Sequence, residues 1–185
     1  PSQPTLKHFQ KVFVEVPYLR PLYNSLFVSG MTTLITIFFS TMVGYAIAKY
    51  RVAGLNVIFI LILSGLMIPP FTIAIPLYIV ASQIRMVNTL WGVIIPFSIS
   101  NFGIFLMRQY CLGVPQDLIS AARIDGASEF AILLRVIFPV VATGCTALGI
   151  LKFLLTWNDL FWPLIMLTEE TNKTLTVMLA TFIDF

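Results

Sequence analysis

Lys152, Trp157, Asn158 and Asp159 carry the chemistry needed to handle a polar solute. The ammonium of Lys152 and the carboxylate of Asp159 lie seven residues apart, two turns along one helix face. An aromatic ring beside an amide can stack on the C–H face of a sugar while the amide takes its hydroxyls. A plainer reading stands beside this one. Trp157 and Trp162 close an apolar stretch and are expected to be interfacial anchors. Lys152 can snorkel or pair with a neighbouring helix, and Asp159 can sit near the interface. A second group, residues 114–129, is polar where its surroundings are not, and contact with another protein is the chemistry it offers. Nothing in the sequence reads as a catalytic or metal centre. The single histidine is His8, no His-Glu-x-x-His spacing exists, and no Gly-x-x-x-x-Gly-Lys-Ser/Thr loop is present to bind ATP. No cofactor is expected.

The elements that must position these groups are membrane helices. The 185 residues are 58% hydrophobic and only 10% charged, with a mean hydropathy of +0.95. A soluble domain carries about a quarter of its residues as charges, so lipid is the expected solvent and partner. A net charge of +3, without a basic run, excludes nucleic-acid binding. Cys111 and Cys145 are too few for a disulfide framework and read as reduced packing residues. The chain opens at Pro1 without methionine and closes at Phe185 inside an apolar run, so a longer membrane protein is expected.

Four full spans are expected. Residues 22–48 carry no charge over 27 positions, about 40 Å of helix. Ser40, Gly44 and Ala48 fall four apart, a small-residue stripe that lets another helix approach closely. Residues 54–81 are uncharged but contain Pro69, Pro70 and Pro76, which predict a break near Ile68. The expectation is a packed kink, with a pathway-lining bend as the alternative. Residues 89–107 and 140–167 supply the third and fourth spans, and a fifth begins at Leu175. Residues 1–21 read as an extracytoplasmic segment and 108–139 as a polar insert between spans three and four. Lys49 and Arg51 share a side with Arg108, Arg123 and Arg135, against Arg85 in the opposite short loop. The positive-inside rule therefore makes the insert cytoplasmic, although Lys7, Lys11, Arg20 and Lys173 lie on the other side.

Within the insert, Pro115 suits the first position of a short helix. Gly126 can end that helix in a left-handed conformation, and Asp125 or Ser128 can cap the next, longer amphipathic helix running to Pro139. Ala121 and Ala122 give a low-relief face. Leu118 and Ile119 offer contact area, and Asp117 and Arg123 offer rim pairs.

Ala121-Ala122, then Asp125-Gly126-Ala127, then Phe138-Pro139 resemble the cytoplasmic loop of binding-protein-dependent ABC importer permeases. The resemblance extends to Asn24-Ser25-Leu26, Met67-Ile68-Pro69-Pro70, Asn88-Thr89-Leu90-Trp91-Gly92, Phe102-Gly103-Ile104-Phe105-Leu106 and the stretch from Trp157 to Leu164. It points to the carbohydrate-uptake branch, the maltose-type second permease subunit and its glycerol-phosphate relatives. By this resemblance the chain is an all-α, polytopic bundle of the type I importer kind in a bacterial inner membrane, with one or two spans missing. It implies three protein partners: an ATP-binding subunit dimer, a second permease subunit and an extracytoplasmic solute-binding protein. It implies that Asp117, Ser120, Ala121, Ala122, Arg123, Asp125, Gly126 and Ala127 couple to the ATPase. The family's motif opens with glutamate where this chain has Ser120; Asp117, close to the same helix face, is the candidate substitute. The competing class is an ion-coupled secondary transporter, which needs intramembrane carboxylates. Asp159 is the one candidate, near an edge. An intramembrane enzyme lacks any recognisable dyad.

Overall fold

The computed structural model describes residues 18–183, all helix and connections without a strand. The expected extracytoplasmic stretch falls outside the described residues as far as position 17. Its last residues already belong to the first helix, α1 (Leu19–Lys49), which starts earlier than the hydropathy suggested. α1 is the one helix among the described residues long and apolar enough to cross a bilayer unbroken. The other candidate spans are bent pairs.

α1 is the mast of the bundle, and its buried face is small and polar: Ser25, Ser29, Thr32, Thr36, Ser40, Thr41 and Gly44. Between membrane helices, lipid supplies no hydrophobic drive, so close backbone approach and interhelical hydroxyl bonds hold them together. Thr36 Oγ1 donates to the carbonyl of Ser98 at 2.8 Å. A Cβ placed on Gly44 would lie 2.7 Å from the Arg108 nitrogen, and one on Gly103 would lie 2.5 Å from the Ser40 hydroxyl. The small-residue stripe is therefore the contact between α1 and a later helix.

The second expected span is two helices, α2 (Leu55–Ser64) and α3 (Ala74–Gln83), joined through tight turns at Gly65–Met67 and Pro70–Ile73. Their axes differ by 96°. Ile68 is extended, as the residue before a proline prefers. No residue in either turn is buried, yet the break packs at Gly65, where an added Cβ would collide with the Asn101 side-chain amide.

The third expected span is α4 (Leu90–Ser98) and α5 (Asn101–Leu112), bent by 46°. Each has its own cap: Thr89 accepts from Gly92 N at 3.1 Å and Ser100 from Gly103 N at 3.0 Å. α5 runs to Leu112, so residues 108–112 of the expected insert continue the helix. The insert holds α6 (Gln116–Ile124) and α7 (Glu129–Ile132), followed by a π-helical turn at Leu133–Ile137 and a short α8 (Phe138–Val140).

The fourth expected span is likewise not one helix. α9 (Ala142–Trp157) meets the insert at an 80° bend and stops at Asn158. α10 (Phe161–Met166) restarts after Asp159 Oδ1 accepts from Phe161 N at 3.1 Å. α11 (Leu175–Ile183) ends the described chain.

The two ends of the bundle are distinct. Lys49, at the foot of α1, donates to the Val114 carbonyl beside the insert at 2.6 Å. At the head, Arg20 and Asn24 donate to the Thr171 carbonyl at 3.0 and 3.1 Å. Asn88, held at φ +64, accepts from Thr168 N and Glu169 N at 3.1 and 3.0 Å. The insert and the 49–51 loop thus share one end; the 84–88 and 168–174 loops share the other.

Candidate coupling knuckle and solute cavity

The insert forms a compact knuckle. Pro115 caps α6 and is not its first residue; its ψ of 135° is still extended. Gly126 takes φ +81, the left-handed conformation expected of it. The turn is closed by Ala127 N donating to the Ala122 carbonyl at 3.0 Å. Ser128 caps the following helix, accepting from Ala131 N at 3.3 Å, and Asp125 does not. The expected amphipathic helix to Pro139 is interrupted by the π turn.

Burial sorts the knuckle into two faces. Ile119 is fully buried against Ile132, Val114 and Cys111, with Ala122 and Ala127 packed on the same cluster. Ile119 and Ala122 are thus spent on the chain's own core, contrary to their expected place on an outer contact face. The outer face carries Asp117, Leu118, Ser120, Ala121, Asp125 and Gly126, all exposed, and Ile124 at 86% exposure. At the end of a polar helix, an isoleucine that exposed has little packing from the other described residues.

Arg123 is exposed and already forms an ion pair within the knuckle. Its Nε donates to Glu129 Oε1 at 2.8 Å. The other carboxylate oxygen of Glu129 accepts from Tyr45 at 3.2 Å and from Tyr50 through a short hydrogen bond. The Arg123 guanidinium, then the Tyr50 hydroxyl, hold the Glu129 carboxyl below its ordinary 4.5. Burial, then the Glu129 bond, raises the Tyr50 phenol. Glu129 was missed from sequence because its tyrosine partners lie 79 and 84 residues away.

The solute candidates divide. Lys152 and Asp159 both face a cavity of about 330 Å³, walled by Pro70, Phe71, Phe97, Thr156, Phe161 and Trp162 among others. That volume lies at the lower edge of the roughly 300–1,000 Å³ typical of small-molecule sites. No ion pair joins the two charges. The α2–α3 break supplies Pro70 and Phe71 to the wall, and Phe71 meets Phe161 edge to face at 4.6 Å. Phe71 and Thr156 were not singled out by the sequence. Trp157 and Asn158 stand outside the cavity: Trp157 stacks on Phe153 at 5.8 Å and Asn158 bonds back to the Leu154 carbonyl at 2.8 Å. The anchor reading fails for Trp162. It is 1% exposed, and its Nε1 donates to the Gly92 carbonyl at 3.1 Å.

This arrangement of broken helices around a polar-stripe mast, with a knuckle at one end, is a known membrane-importer fold. A chain in the crystal structure of a bacterial ABC transporter involved in the import of the acidic polysaccharide alginate superimposes with a TM-score of 0.90. That match has 23% identity and covers 100% of this chain and 66% of that one. The chain belongs to the family of binding-protein-dependent transport system inner membrane components, whose profile matches residues 37–183. The arabinooligosaccharides transport system permease protein AraQ of Bacillus subtilis is 38% identical over 167 residues, covering 90% of this chain and 59% of that protein. The AraQ protein of Halalkalibacterium halodurans is 38% identical over 184 residues, covering 99% of this chain and 66% of the relative. The chain thus spans about three fifths to two thirds of the length of these relatives, both of them transport permeases by name.

Proposed function

We propose that this chain is the main membrane-spanning part of a permease subunit in an ATP-driven importer. The solute is a saccharide delivered by an extracytoplasmic binding protein. The observation that carries the reading is the knuckle: a family-typed, polar-faced projection with Ile124 at 86% exposure, at the cation-rich end of a bundle with no nucleotide loop. Residues 108–139 lie in the cytoplasm, and the outer face of α6 docks on a separate ATP-binding subunit. Asp117, Ser120, Ala121, Asp125 and Gly126 contribute to that contact, Ala122 and Ala127 hold its shape from within, and Arg123 braces it through Glu129. A second permease subunit and lipid cover the apolar flank of α2, none of whose residues is buried. The saccharide class is supported by the relatives named for arabinooligosaccharides.

Lys152 and Asp159 line the solute path. Charges at membrane depth face water or protein, and here they face a cavity with aromatic walls. Replacing Lys152 with methionine is expected to slow uptake about tenfold, the scale of one lost polar contact. The melting temperature of the solubilised protein should stay near wild type, because Lys152 forms no close ion pair among the described residues and only its longer-range attraction to Asp159 is lost. A Lys152→Met variant that melts early and transports normally would assign the lysine to packing.

The test of the function is reconstitution of the full-length protein with its partner subunits in proteoliposomes. Uptake of an oligosaccharide panel should require ATP and the binding protein. Uptake driven by a proton or sodium gradient without ATP would establish the secondary-transporter reading instead.

A further inference from the structure

We propose that Glu129 is the positioning residue that fastens the knuckle to α1, so that displacement of α6 is delivered to the mast of the bundle. The inference deepens the importer reading and rests on it. Glu129 gathers three donors from two separate parts of the chain. Arg123 comes from the last turn of α6, Tyr45 from the foot of α1, and Tyr50 from the segment just beyond it. Lys49, at the end of α1, adds a second strap to the carbonyl of Val114, just ahead of α6. The knuckle is thus tied to α1 at both its start and its end.

The remaining contacts between knuckle and bundle are of another kind. Ile119, Ile132 and Leu133 pack with Tyr45 and Met107 in one buried apolar cluster, which transmits force by close packing but is non-directional. Hydrogen bonds to a carboxylate are directional and strong. The route forward along the chain is compliant. It passes through the π-helical turn at Leu133–Ile137 and the 80° bend into α9. A pull on α6 therefore has a directional polar path, through Glu129 and Lys49 into α1, beside the packed core. From there it reaches α5 through the close Gly44–Arg108 contact.

The test uses the full-length protein in the assembled transporter, with two readouts: ATPase subunit retained on purification, and ATP hydrolysed per solute imported. Glu129→Ala should retain the ATPase and raise ATP per solute about tenfold, within the range of a typical coupling between sites. Glu129→Gln, which keeps a hydroxyl acceptor but loses the ion pair, should fall between. The Tyr45→Phe, Tyr50→Phe pair should raise the ratio too and add little on top of Glu129→Ala. A wild-type ratio in Glu129→Ala, or full additivity with the tyrosine changes, would overturn the proposal. Loss of the bound ATPase from Glu129→Ala and Glu129→Gln alike would also overturn it, by making Glu129 part of the docking contact itself. A wild-type complex without ATP-driven uptake would instead remove the importer reading, and this proposal with it.

Discussion

Gly44→Ala is expected to destabilise the protein and Gly30→Ala to stabilise it, although both glycines sit inside the same helix. A Cβ at Gly44 would meet backbone atoms of the facing helix, the Arg108 nitrogen at 2.7 Å and the Met107 carbonyl carbon at 2.9 Å. Backbone cannot rotate aside, so α1 and α5 must part. Overpacking of this kind costs about 1–3 kcal/mol, more than the roughly 1 kcal/mol that alanine gains over glycine in a helix. At Gly30 nothing lies within 4 Å of the added atom, and only the gain remains. Gly44→Leu should leave little folded protein in the membrane. Thermal melting of the detergent-solubilised full-length protein reads all three variants. Equal melting of the two alanine variants would mean that α1 and α5 do not pack as described.

Gly126→Trp is expected to abolish coupling while leaving the spans inserted. The backbone there has φ +81, which a side chain adopts at a cost of about 1–2 kcal/mol. An added Cβ meets nothing within 4 Å, so the indole would project outward from the tip of the knuckle. The cost to the fold is therefore small and local, whereas the obstruction falls on the face proposed for docking. Uptake should fall about thirtyfold or more, the scale of a lost interface hot spot, with membrane levels near wild type. Gly126→Ala isolates the backbone strain and should lose much less. Normal transport by the tryptophan variant would show that this face meets no partner.

Much of this was readable from local pattern. The small stripe on α1, the break at Ile68, the left-handed Gly126 and the Ser128 cap each depend on residues within a few positions of one another. What escaped depends on distant partners. A tryptophan at the end of an apolar run has the same local signature whether it meets the interface or a carbonyl 70 residues away, as Trp162 does. Ile119 and Leu118 are adjacent and equally apolar, and only the packing of Ile132 and Val114 decides which is buried. Hydropathy also merges broken helices. The caps at Ser100 and Asp159 end and restart helices inside runs whose average polarity barely changes.

Docking of the α6 outer face on a nucleotide-hydrolysing subunit is most directly tested by a cysteine at Ala121, which is exposed. The measurement uses the full-length protein in the assembled transporter, with Cys111 and Cys145 replaced. A short thiol crosslinker should join Ala121→Cys to the ATP-binding subunit, with a yield that changes when nucleotide is added. A membrane-impermeant thiol reagent applied from outside the cell should leave the site untouched. Labelling from outside, or no crosslink to a nucleotide-binding subunit in either nucleotide state, would contradict the account.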